Sequence, residues 1–145
     1  MTNLSDFYAL VKSFAEDHMM VNQFLFVGSE EELDKIEFEY KTFIVIPSTS
    51  NISRTLNRPV YTLGFDCIIL DKYPYDNEVS MMKTIEENLF LAGQFQDYLF
   101  QQNEDIEVGE ISIDNLGTDT YNISSVMFTV EATFGRAPYV KGIAS

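Results

Sequence analysis

Residues able to carry chemistry are few, and their spacing assembles no reaction centre. His18 is the single histidine and Cys67 the single cysteine. A histidine-pair or Cys-x-x-Cys metal site is therefore excluded by count. His18 falls at the end of an amphipathic segment, where an imidazolium would meet a helix dipole favourably, so a structural role is expected. Cys67 lies between Phe65 and Ile69 in a strand-like run, the setting of an inert packed thiol. Carboxylates are plentiful and clustered: Glu30-Glu31-Glu32, Glu86-Glu87 and Glu104-Asp105. Paired carboxylate catalysis needs two such groups in different environments across a cleft. These clusters instead fall in expected loops or on the wet side of a helix. The seven glycines are scattered singly. They form no phosphate-cradling loop, nucleophile elbow or dinucleotide fingerprint. Asn51-Ile52-Ser53 and Asn122-Ile123-Ser124 match glycosylation acceptors, but no secretion signal accompanies them. The expectation is a protein that is not an enzyme and takes no cofactor and no metal.

The elements that would position these residues follow from periodicity. Over 3–20, Phe7, Leu10, Val11 and Phe14 recur at i, i+3, i+4 and i+7, a helix with Asn3 and Asp6 at capping-box spacing. A short strand follows over 21–27. Residues 29–35 read as a loop or a single helical turn. Ile36, Phe38 and Tyr40 alternate with Glu37, Glu39 and Lys41, which predicts a strand running on through the apolar 43–46 and ending at Pro47. Residues 48–59 form the longest polar stretch, too long for a tight turn, and read as a long hairpin loop carrying Asn51, Arg54 and Arg58. A strand is expected over 60–72. Asp76 or Asn77 then caps a long helix to about residue 102, nearly 40 Å long at ~1.5 Å per residue. Its core stripe reads as Met82, Ile85, Leu89, Ala92 and Leu99, with Phe95 close by. Strands over 106–113 and 121–134 predict a closing antiparallel hairpin, with turn formers at 114–119. Residues 135–145, with Arg136, Tyr139 and Lys141, show no period and read as an arm.

The totals bound the class. A chain of 145 residues, 46% hydrophobic and with twelve Phe and eight Tyr, is expected to form one domain with its own core. The expected architecture is α+β: an antiparallel sheet of hairpins with two helices packed on one face, a long polar hairpin loop and a C-terminal arm. Residues 1–134 form the domain and 135–145 the arm. No apolar run is long enough to span a membrane, and the N-terminus carries no basic-then-apolar leader, so cytoplasmic residence is expected. A formal charge of −14 repels phosphate backbones. Either it serves solubility, or it forms a surface that lets nucleic acid pass without sticking.

The order of elements, with Phe65-Asp66-Cys67-Ile68-Ile69-Leu70-Asp71-Lys72, the helix over 77–102 and Val126 to Phe134 as its carriers, resembles the tail terminator and head-to-tail joining proteins of tailed bacteriophages. The resemblance spans nearly the whole chain and is one of pattern, since that family has no diagnostic short motif. It implies a structural virion protein without catalysis, cofactor or metal. It also implies a homo-oligomeric ring, hexameric or dodecameric, that contacts portal, neck or tail-tube proteins. DNA would pass through its lumen without sequence-specific binding. The protein would reside in the host cytoplasm during assembly and then in the virion neck or tail. Contacts are expected at Asn51, Arg54, Arg58, Arg136, Tyr139 and Lys141. The alternatives are a head-completion adaptor ring on the portal, and a small αβ binding module in the cytoplasm.

Overall fold

The computed structural model describes residues 3–55, 58–75, 77–102, 106–117 and 122–135, with side chains described for these except at 49, 51–55, 58–59 and 114–117. Helix α1 spans Leu4–Asp17 and α2 spans Glu78–Gln102. Strands β1 (Gln23–Phe26), β2 (Thr42–Thr55), β3 (Arg58–Lys72), β4 (Ile106–Val108), β5 (Ser112–Gly117) and β6 (Asn122–Gly135) build one six-stranded sheet. Its order is β1-β2-β3-β6-β4, with β5 also on β6. Both helices cover the same face, which gives the α+β architecture that the periodicities predict.

The caps form as their residue types dictate. Asn3 Oδ1 accepts from Asp6 N at 3.0 Å, and Asp6 Oδ2 accepts from Asn3 N at 3.2 Å, a complete capping box. Asn77 Oδ1 accepts from Ser80 N at 2.9 Å and starts α2. Between helices and sheet lies an aromatic core. Phe7 stacks on Phe65 at 4.4 Å and meets Phe134 edge-on at 6.5 Å. Phe95 lies 4.9 Å from Phe43, 5.0 Å from Phe14 and 5.7 Å from Phe128, ring centre to ring centre. Val126, Phe128, Val130, Ala132 and Phe134 are buried on this one face of β6, as their alternation predicts.

Four local expectations are corrected. First, β1 runs parallel to β2, Gln23 opposite Thr42 through Phe26 opposite Val45, so the sheet is mixed. A parallel pair needs a crossover, and residues 27–41 supply it. Second, 36–40 is therefore no strand. The Gln23 side chain occupies its backbone instead: Oε1 accepts from Glu39 N at 2.8 Å, and Nε2 donates to Glu37 O at 3.3 Å. The alternation still has a use, because Leu33, Ile36 and Phe38 pack on Ile44, Ile46, Ile68 and Leu70, on the sheet face away from the helices. Third, the expected long loop at 48–59 is mostly strand. The β2–β3 ladder runs from Thr42 opposite Leu70 to Thr55 opposite Arg58. Pro47, which lacks an N–H, sits at a bulge in that ladder instead of ending it. Fourth, the strand expected at 106–113 breaks around Gly109–Ile111. Ile106 to Val108 and Ser112 to Gly117 pair along β6 with one extra residue between them, a second bulge. Glycine gives room there: Gly109 N donates to Thr129 O at 2.8 Å, and a Cβ would force the Thr129 hydroxyl to turn aside. The ladder also carries β5 through 112–117, into the stretch expected to turn.

Candidate assembly surfaces

Helix α2 presents two apolar faces. Leu91, Ala92, Phe95 and Leu99 are buried against the sheet, along with the polar Thr84 and Asn88. Val79 is 78% exposed, Met82 58%, Phe90 59% and Phe100 59%. At ~3.6 residues per turn these four fall on one stripe, opposite the buried one. Glu86, Gly93 and Asp97 share the outward stripe. A Cβ at Gly93 would meet nothing within 4 Å among the described residues, so no contact with them demands a glycine there. Of the stripe expected from sequence, Ala92, Leu99 and the nearby Phe95 are buried as expected, and its start is corrected: Met82 points out, and Ile85 and Leu89 lie on the flank of the helix, half-buried.

At the far end of the sheet the β2–β3 hairpin closes. Arg54 stands opposite Pro59, and Arg58 opposite Thr55. Asn51 pairs with Thr62 on the same two strands. The expected contact residues Asn51, Arg54 and Arg58 are thus brought together on one ladder. Arg136, Tyr139 and Lys141 lie outside the described residues, beyond Gly135, which pairs with Val60 at this same end.

The opposite end holds an ionic cluster that the sequence reading did not single out. Lys41 is buried, with Nζ 3.3 Å from Asp71 Oδ2 and 3.5 Å from Glu87 Oε2. It begins the apolar β2 run and points toward α2, where its charge needs a partner. Asn88 is fully buried and Ser124 equally so, and their side-chain polar atoms have no hydrogen-bond partner. Beside them a groove of about 960 Å³ opens between the end of β3 and the start of α2. Asp71, Lys72, Tyr75, Ser80, Thr84 and Glu87 line it. The signal was available in sequence: a lysine in phase with Phe43 and Val45 must enter the helix–sheet layer.

The remaining reactive groups are structural. His18 Nδ1 accepts from Met20 N at 3.1 Å, and its Nε2 meets Gln94 Oε1, so it ties the end of α1 to α2. Cys67 is buried, and burial, then the negative charge of Asp66, pushes its thiol far up from the ordinary value. It packs in the core between helices and sheet. Among the described residues no three His, Cys, Asp or Glu side chains converge on a possible metal position. No helix among them is long and apolar enough to cross a membrane. No protein-family model matches this chain, and no curated protein matches it.

Proposed function

We propose that this chain is a structural ring subunit of a phage neck or tail end, a tail terminator or head-to-tail joining protein. The observation that carries the reading is the second apolar face of α2. Val79, Met82, Phe90 and Phe100 expose apolar surface on a helix whose other face already fills the core. Exposed large apolar side chains gathered along one helix face mark a site of association. The order of elements adds the family likeness, and the −14 charge suits a lumen through which DNA slides without adhering. On this reading the protein works by geometry, with residence in the host cytoplasm during assembly and then in the virion.

Negative-stain microscopy and sedimentation of the purified protein test it. Closed rings, alone or with tail-tube or portal protein, are the expected result. A monomer at high concentration, with no ring in the presence of either partner, would end the proposal. Capture by portal and not by tail tube would favour a head-completion adaptor. The groove beside Asp71, Thr84 and Glu87 favours a second reading, a small-ligand binding module. A small molecule that raises the melting temperature of a protein remaining monomeric would favour that reading.

A further inference from the structure

The outward stripe of α2 reads nearly the same from either end. Val79, Met82 and Glu86 lie on its first half, Gly93, Asp97 and Phe100 on its second, with Phe90 between them. A two-fold axis crossing the helix between Leu89 and Phe90 sets Val79 opposite Phe100 and Glu86 opposite Gly93. It sets Met82 opposite Asp97, with Lys83 beside that aspartate, and brings Phe90 against its own counterpart. Lys83 and Asp97 are exposed and make no ion pair among the described residues. Asp97 also lines a groove of about 640 Å³ between the end of α1 and α2. Asp17, Met19, Phe90 and Gln94 share its walls, so two carboxylates and apolar surface meet there.

We propose that the outward face of α2 packs antiparallel on the same face of a second copy of this chain, with Lys83 of each copy seated in the other's groove against Asp17 and Asp97. Three observations select this occupant. The charges are complementary in this register, whereas a parallel two-fold pair would face Lys83, Glu86 and Asp97 each with its own kind. Lys83, Phe90 and Gln94 fall on one flank of the stripe at ~3.6 residues per turn, and an antiparallel two-fold keeps flank against flank. The lysine stem then lies along Met19 and Phe90 while its ammonium reaches the carboxylates. Finally, Gly93 leaves room for Glu86 of the other copy. The contact uses the same patch on both copies, so it makes a closed pair and cannot by itself extend into a ring. In a ring closed through other surfaces it joins two rings face to face. This inference rests on the association that the α2 face marks and not on ring closure.

Disulfide capture in the full chain reads the orientation, and the buried Cys67 leaves the background clear. Glu86→Cys and Gly93→Cys chains oxidised together are expected to cross-link to each other and not to themselves. Capture of the Glu86→Cys chain with itself means a parallel pair and overturns the proposal. Charge exchange, read by sedimentation against concentration, tests the seat of the lysine. Lys83→Asp and Asp97→Lys are each expected to raise the association midpoint by about tenfold. Both changes in one chain are expected to restore it, and a folded double variant that fails to recover overturns the pairing. Phe90→Ser is expected to raise the midpoint similarly while leaving the circular dichroism and melting temperature unchanged. Pairs without rings uphold this inference and sink the ring reading. Rings whose midpoint none of these changes shifts sink the inference and leave the ring reading standing. Association that rises when residues 136–145 are deleted puts the chain's own end on this face and overturns the proposal. A wild-type chain that stays monomeric sinks both readings.

Discussion

The two faces of α2 both carry large apolar side chains and are opposite in fate. The inward face places Leu91, Phe95 and Leu99 among Phe14, Phe43 and Phe128, at full burial. The outward face places Val79, Met82, Phe90 and Phe100 in solvent. The polar residues run against intuition as well. Thr84 and Asn88 are buried, whereas the outward stripe interrupts its apolar groups with Glu86, Gly93 and Asp97. A helix with one apolar face is explained by its own core. One with two keeps apolar surface that none of the described residues covers.

Substitutions on either side should separate stability from association. Phe95→Ala carries the largest expected effect. It empties a site ringed by three aromatics and should lower unfolding stability by about 3–5 kcal/mol, read by chemical denaturation. Lys41→Met comes next, because it leaves Asp71 and Glu87 facing each other without a cation. A loss of about 1 kcal/mol is expected, since both remaining carboxylates keep contact with water. A Lys41→Met variant as stable as wild type would show that the cluster contributes nothing to the fold. Gly93→Ala sharpens the contrast most. Alanine should stabilise the isolated fold by about 1 kcal/mol, since a Cβ there meets none of the described residues. It should nevertheless weaken assembly, where glycine permits close approach. A melting temperature that rises together with assembly would remove the outward face from the interface. Phe90→Ser has the smallest expected effect on folding, within about 0.5 kcal/mol, because the ring is already exposed.

How far the sequence could be read depended on whether one face or two were apolar. In α1 a single stripe with an Asn3–Asp6 capping box identified both the helix and its buried side. In β6 strict alternation identified the buried set from Val126 to Phe134. In α2 two apolar stripes compete, and the best single stripe by spacing falls between them, so the rotation of the helix was misread. The crossover at 36–40 was misread for a related reason. Period-two alternation reports which side chains face the sheet, but not whether the backbone has a ladder partner, and Gln23 takes that place. At 48–55 polarity was taken for a loop. A strand whose neighbour β3 is held by β6 needs no apolar side chains to remain paired.

The sequence by itself determined the capping of both helices, the antiparallel β2–β3 and β5–β6 pairings, and the buried faces of β3 and β6. Those features follow from short-range periodicity, from cap and turn residue types, and from strands that succeed one another along the chain. Only the tertiary structure decided that β1 joins in parallel, that Lys41 meets Asp71 and Glu87, and which face of α2 is left outside. These depend on residues from 19 positions apart (Gln23 and Thr42) to 81 apart (Phe14 and Phe95) meeting in space, and no local pattern encodes the choice. A helix with two apolar faces can bury only one against its own sheet, and the aromatic layer of Phe14, Phe43 and Phe128 selected which.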